Sequence, residues 1–187
     1  PFSKLEGCQP LLTTGMKSVG EAMSIGRNFQ ESVQKVLSSL ETGLNGRNEN
    51  VLSGEWALRE ALSKQTPGRM RSVAKAFRMG LSVEDVHATT SIDLWFLRQI
   101  AQIVATEENV RRDGLPTTQR DFVDLKAMGF SDARLGDLTN QSEGEVRAAR
   151  HALGARPVYK RIDTCAAEFA AKTPYLYSTY EQPAFGQ

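Results

Sequence analysis

The sequence predicts an all-α fold, an irregular multi-helix bundle with short extended segments at both ends. Three observations predict it. Between residues 28 and 155, apolar side chains return at three- and four-residue steps, the spacing that puts them on one helix face. The segments marked in this way open on Ser, Thr or Asn and close on Gly. The former satisfy orphan backbone N–H groups at a helix start, and glycine tolerates the left-handed turn after a helix end. On either side of this stretch the helical period is lost.

Residues 1–15 carry no period, hold Gly7, Pro10 and Gly15, and read as an arm that packs on something else. Residues 21–25 (EAMSI), bracketed by Gly20 and Gly26, suit a brief strand feeding the first helix. Asn28 is its N-cap, with Glu31 at capping-box spacing. Phe29, Val33, Val36, Leu37 and Leu40 share one face of that helix, and Gly43 stops it. Residues 43–54, rich in Asn and Gly, form a loop. A second helix carries Trp56, Leu58 and Leu62. Thr66 then caps a third, with Pro67 at the first helical position, where its missing N–H costs nothing. Met70, Val73 and Phe77 make its buried stripe, and Gly80 ends it. Ser82 with Asp85 opens a short fourth helix.

Residues 92–113 are the longest helix, about 20 residues and so ~30 Å. Leu94, Leu97, Ile100, Ile103 and Val104 face inward, and Trp95 and Phe96 broaden that face, which puts this helix in the middle of the bundle. Gly114 and Pro116 end it. Thr118 caps the next, with Phe122, Leu125 and Met128 inside and Gly129 as its stop. Ser131 opens a helix with Leu135 and Leu138. Ser142 and Glu145 form a further capping box before Val146, Ala149, Leu153 and the stop at Gly154. The runs 78–82 (RMGLS) and 127–131 (AMGFS) are one device used twice, in which glycine turns the chain and serine restarts the helix. Two copies do not make a solenoid. Pro157 forbids continuation, VYKRI alternates, residues 164–171 are small and apolar, and residues 175–180 (YLYSTY) have strand propensity before a frayed tail at 181–187.

At 187 residues the chain is one domain, or one with appendages. Its 40% hydrophobic and 24% charged content puts it with globular rather than disordered chains. A net charge of +1 lacks the basic excess of most nucleic-acid binders, although a local patch can hide in a neutral total. Two cysteines, Cys8 and Cys165, make no disulfide framework, so a reducing, cytoplasmic setting is expected. No apolar run approaches the roughly 18 residues that cross a bilayer, and no signal-peptide pattern is present. The chain begins at Pro1 without a methionine and reads as a piece of something longer.

Catalytic constellations are scarce. His87 and His151 have no Cys or carboxylate at ligand spacing, so a solvent-facing or capping role is expected over metal binding. Cys165, in TCAAEF, reads as a buried inert thiol rather than a nucleophile, with proximity to a histidine in space left open. Glu21 and Glu168 lack a second carboxylate at fixed spacing and receive no acid–base role. No P-loop or dinucleotide fingerprint appears. No catalytic, cofactor-binding or metal residue is therefore assigned. The competing reading is a helix-turn-helix over residues 131–154, with 143–153 as the reading helix and Arg147 and Arg150 toward a groove. Against it, Glu143 and Glu145 would repel phosphate, and the same pattern serves as a solvated face in a small helical hairpin.

A longer run is more specific. Lys17, Ser18, Val19, Gly20, Glu21, Met23, Ile25, Gly26 and Arg27 are followed by Gln30, Glu31, Ser32, Gln34 and Lys35. This resembles the segment that closes the first ATP-grasp module in the large subunit of carbamoyl phosphate synthetase. GLSVEDV and IDLWFLRQI within residues 80–100, GFSDARL at 129–135, and residues 157–181 are similar to the same family, so the resemblance covers roughly residues 11–181. It departs only in detail: Ser24 stands where the family often has Ala, and Gly15 where a polar residue is common.

The resemblance implies a large subunit of two ATP-grasp halves joined by a helical oligomerisation domain. The first half makes carboxyphosphate and then carbamate, the second phosphorylates carbamate, a glutaminase subunit supplies ammonia, and a C-terminal domain receives effectors. In this sequence it implies a preceding-module tail at 1–27, the helical domain at 28–155 and a lead-in to the second module at 156–187. ATP with Mg or Mn would bind elsewhere in such a protein, and no cofactor is expected in this piece. Expected partners are the neighbouring ATP-grasp modules, the glutaminase subunit and a second copy, with no nucleic acid and no membrane. The apolar residues around Trp95 and Phe96 exceed what one face buries, which suggests an exposed two-fold contact. A core Phe96 would cost about 3–5 kcal/mol on truncation to Ala, a surface one below about 1 kcal/mol.

Overall fold

Capping chemistry decides where most helices begin. In the computed structural model the Ser82, Thr118, Ser131 and Ser142 side chains each accept a hydrogen bond from the backbone N–H three residues on. Ser82 with Asp85 and Ser142 with Glu145 complete reciprocal capping boxes. The structure describes residues 7, 9, 11–15, 22–39, 55–170, 172–173 and 175–182. Among them are the helices α1 (Phe29–Ser39), α2 (Glu55–Ser63), α3 (Arg69–Arg78), α4 (Val83–Thr90), α5 (Leu94–Asp113), α6 (Gln119–Ala127), α7 (Asp132–Thr139) and α8 (Glu143–Ala152), and the strands β1 (Val158–Arg161) and β2 (Leu176–Thr179). Among the described residues the fold is all-α apart from one small antiparallel pair of strands.

The chain divides into two compact units. The first comprises Pro1–Ala22 and Asn48–Glu108. Here α2 packs on α3 and α4, and Leu58, Leu62, Val73, Ala76, Val86 and Leu97 are wholly buried. Arg69, at the start of α3, donates to the Leu62 and Thr90 carbonyls at 3.0 and 2.7 Å, so one guanidinium serves the C-terminal ends of α2 and α4. Arg78 Nη2 lies 2.8 Å from Oε2 of the buried Glu107, joining α3 to α5.

The second unit comprises Met23–Arg47 and Asn109–Gln187. Phe122, Phe130, Leu135 and Val146 form its core, and α7 packs on α8. A Cβ at Gly136 would stand 2.5 Å from the Gln141 carbonyl oxygen, so α7 needs glycine for the chain to fold back this tightly. β1 and β2 pair antiparallel, with Val158 opposite Thr179 and Arg161 opposite Leu176.

The repeated turn device is present twice. Gly80 and Gly129 have φ of 87° and 96°, and the serines two residues on are extended N-caps. Elsewhere local expectations yield to packing. Residues 22–26 form no strand. Pro67 and Gly68 make a turn, so α3 starts two residues later than a Thr66 cap implies. The buried residues of α1 are Gln30 and Glu31, while Leu37 is exposed. Trp56 is 78% exposed, Met70 lies at the surface and Ala76 is buried in its place. α5 buries Leu97, Ile100, Ile103 and Val104 as expected, but Trp95 and Phe96 are 51% and 42% exposed, so they do not broaden its buried face. Glu181 and Gln182 are anchored rather than frayed. Leu40, the Gly43 stop, the 43–54 loop, Cys8 and Glu21 lie outside the described residues.

Leu62→Ala is expected to lower unfolding free energy by about 2–5 kcal/mol, and Trp56→Ala to stay within ~0.5 kcal/mol. Phe96→Ala should fall well below the ~3–5 kcal/mol of a core ring. Urea titration followed by circular dichroism measures all three.

Candidate functional site

In the second unit the incoming chain and the outgoing strand meet at one buried carboxylate. The Asn28 side chain caps α1 by accepting from the Glu31 N–H at 2.8 Å. Glu31 does not return the bond to Asn28. Its Oε2 instead accepts from the Arg27 N–H at 2.6 Å and from the Thr179 hydroxyl at 3.1 Å. Its Oε1 lies 2.8 Å from Lys35 Nζ. Glu31 and Thr179 are each 1% exposed. Lys35 Nζ also donates to the Ile25 carbonyl at 3.0 Å and the Ser178 carbonyl at 2.5 Å.

Close backbone approach makes this possible. A Cβ at Gly26 would lie 2.8 Å from Ser32 Oγ, and one at Gly129 only 2.8 Å from Glu31 Cα. α1 therefore lies directly on the turn after α6. Asn28 Nδ2 and Gln34 Nε2 donate to the Ala127 and Met128 carbonyls at 3.0 and 2.9 Å, at the end of α6. The strand end is held further along. Glu181 pairs with Arg27 at 2.8 Å and Lys160 at 2.7 Å, and Gln182 Nε2 donates to the Arg120 carbonyl and to Asp124. The hydrogen bond from Lys160 chiefly holds the Glu181 carboxyl below its ordinary pKa. A cleft of about 400 Å³ beside this junction is lined by Glu31, Lys35, Lys126, Phe130, Thr179 and Tyr180, among others.

A second buried network joins three helix ends. Asp132, in the first turn of α7, sits 2.8 Å from both Lys126 Nζ and Arg150 Nη2. Lys126 and Arg150 occupy the last turns of α6 and α8, so each charge meets a helix terminus of opposite polarity. Two buried cations face one anion, and Nε of the half-exposed Arg147 stands 3.9 Å from the same carboxylate. The excess is met by the Phe130 and Ala155 carbonyls, which accept from Lys126 and Arg150, and by the Tyr180 ring, 5.4 and 5.6 Å from the two cations. Burial opposes ionisation of Asp132, but hydrogen bonds from Arg150 and Lys126 outweigh it and hold its carboxyl below the ordinary range. Burial lowers the Lys126 ammonium, with Asp132 opposing that shift.

In the first unit the notable surface is aromatic. Trp95 and Phe96 meet edge to face with centroids 5.0 Å apart, both substantially exposed.

A family model described as "Carbamoyl-phosphate synthetase large chain, oligomerisation domain" matches residues 21–154. The chain belongs to this family. It is 56% identical to the carbamoyl phosphate synthase large chain of Brucella melitensis over 100% of its own length and 16% of that protein's. It is 53% identical to the Mesorhizobium japonicum large chain, covering 99% of itself and 17% of the relative. With the arginine-specific chloroplastic large chain of Oryza sativa it shares 45% identity over 96% of itself and 16% of the relative. The chain thus spans 16–17% of the length of these relatives.

The helix-turn-helix alternative finds no support in this oligomerisation-domain family. Arg150 is 6% exposed and bound to Asp132, and Arg147 pairs with Glu143 one turn earlier, so neither is a free groove-reading cation. The histidines stand apart. His87 Nδ1 lies 2.7 Å from the Ile92 carbonyl beyond the end of α4. His151 is held below its ordinary pKa first by burial and then by Arg156 and Arg150. Cys165 is half-buried in a turn whose Asp163 carboxylate accepts from the Cys165 and Ala167 N–H groups, so the fully buried thiol expected from its neighbours is not found. Glu168 is exposed. Among the described residues no three His, Cys, Asp or Glu side chains gather where they can hold a metal ion. No helix among them is long and apolar enough to cross a membrane. Sequence reasoning missed Asp132 altogether, although its place at the first position of a serine-capped helix is legible, and it used Glu31 only as a cap.

Asp132→Ala leaves two buried cations unpaired and should cost about 3–5 kcal/mol. In the wild type the Asp132 contribution is complete above the ordinary carboxylate value of about 4 and is lost as pH falls through the lowered folded value. Unfolding free energy measured from pH 7 down to 2 should therefore fall less steeply at the acid end in Asp132→Asn than in the wild type.

Proposed function

We propose that this oligomerisation domain is the non-catalytic spacer of a carbamoyl phosphate synthase large chain. The parent would make carbamoyl phosphate from bicarbonate, glutamine-derived ammonia and ATP with Mg or Mn, in the cytoplasm, for arginine and pyrimidine synthesis. The observation that carries this reading is the 56% identity over the whole chain to a large chain of that name. The arginine-specific name of the rice relative supports the arginine branch. In this reading residues 1–27 close the preceding ATP-grasp module, residues 28–155 form the helical domain, and residues 156–187 lead into the second module. The ammonia-supplying glutaminase subunit and the two ATP-grasp modules are the partners. No residue of this piece is assigned to catalysis, cofactor or metal, and neither nucleic acid nor membrane is a partner.

The physical rationale is separation. An enzyme that passes an unstable intermediate between two sites needs those sites held at a set spacing, and packed helices with charge-locked ends resist bending. Self-association is the second role, and a second copy is the occupant proposed for the surface around Trp95 and Phe96. The family's description supports it, as do two adjacent aromatic rings left substantially open on α5.

Sedimentation velocity over a concentration series should show the chain dimerising, with Trp95→Asp shifting it toward monomer. A strict monomer at the highest concentration would remove the two-fold contact. Titration calorimetry of the chain with Mg-ATP should show no saturable heat, and a saturating isotherm would return a nucleotide site to this piece. Carbamoyl phosphate formation by the full-length protein with its glutaminase partner tests the parent assignment.

A further inference from the structure

We infer that Glu31 couples the incoming helix to the outgoing strand, so that residues 23–35 and residues 176–182 open and close as one cooperative piece. The inference deepens the spacer reading, on which its functional meaning rests: the attachment points of two flanking modules would not move independently.

The outgoing strand is held residue by residue. The Ser178 carbonyl accepts from Lys35, and the Thr179 hydroxyl donates to Glu31. Tyr180 lies over Lys126 and Arg150. Glu181 pairs with Arg27 and Lys160, and Gln182 reaches Arg120 and Asp124. Five consecutive residues are thus pinned, three of them to residues 27–35 across more than 140 positions of sequence. All but Glu181 and Gln182 converge on one buried corner, with Glu31 and Thr179 each 1% exposed.

Glu31 is the hub because its two oxygens serve both sides at once. Oε2 binds the Arg27 N–H and the Thr179 hydroxyl, and Oε1 binds Lys35, whose ammonium also holds the Ile25 and Ser178 carbonyls. Removing the strand strips the carboxylate of a donor and Lys35 of an acceptor while both remain in the incoming segment. Displacing α1 leaves the Thr179 hydroxyl and the Ser178 carbonyl without the groups they bind here. A buried charge left short of partners is costly, so each segment holds the other shut.

Hydrogen exchange read by mass spectrometry on the full-length protein tests this. Thr179→Val removes one hydroxyl from the strand and keeps its shape. It should accelerate exchange about tenfold both at 176–182 and at the α1 amides, leaving α7 unchanged, and Thr179→Ser should restore the wild-type rates. Glu31→Gln should produce the same paired acceleration; if that variant does not fold, Thr179→Val decides alone. Acceleration confined to the hairpin would overturn the coupling. So would uniform acceleration including α7, which would mean that Thr179 is only one more stabilising contact. The exchange pattern does not depend on ligase activity, so loss of the parent assignment by the carbamoyl phosphate assay is a separate result.

Discussion

One carboxylate set against two cations organises the second unit. Asp132, Lys126 and Arg150 are each no more than 7% exposed, so water cannot screen them and the geometry has to. Paired one to one, a buried salt bridge contributes little net stability, because desolvation offsets attraction. Here the arrangement gains from the termini it joins. The anion sits at a helix start and the cations at two helix ends, where backbone dipoles favour those signs. The residual positive charge falls on two carbonyl oxygens and the face of Tyr180. The network thereby decides how three helices and the residue after β2 meet, which shape complementarity among short helices would specify less sharply.

The same requirement explains what the sequence can and cannot convey. Helix starts are legible because a cap is local: Ser82, Thr118, Ser131 and Ser142 each act on an N–H three residues away. The glycine turns at 80 and 129 are legible for the same reason. The two strands are readable from alternation and β propensity in VYKRI and YLYSTY, but their pairing across the intervening residues is not. Nor is the buried face of α1. Periodicity points to Phe29, Val33, Val36 and Leu37, but the buried residues are Gln30 and Glu31; Asn28 and Gln34 donate to the Ala127 and Met128 carbonyls, and Glu31 accepts from the Thr179 hydroxyl. Those partners are about 100 and 150 residues away, and no local window contains them. Arg150 is hidden likewise. Its spacing with Arg147 suggests a solvent face, and only the position of Asp132 turns it inward.

Large apolar residues lie exposed in both units. Tyr159, Leu176 and Tyr175 lie open on or beside the hairpin, and Trp95 and Phe96 on the first helical unit. Trp56 is exposed too. It stands on a helix whose Leu58 and Leu62 are wholly buried, so its exposure does not come from a poorly packed element.

Glycine has two distinct tasks in the repeated turn. At Gly80 nothing lies within 4 Å of the place a Cβ would occupy, so only the left-handed backbone demands glycine there. At Gly129 the backbone is left-handed too, but a Cβ would also stand 2.8 Å from Glu31 Cα. The same turn is thus a plain reversal in one place and a seat for α1 in the other. Gly26 adds the complementary contact from the incoming side, against Ser32. The two glycines let the backbone close in around α1, and the Glu31 carboxylate is buried there with the Arg27 N–H, the Thr179 hydroxyl and the Lys35 ammonium as its partners. Without that closeness Glu31 would have to keep water as its partner, and the strand and helix would have no common group to share.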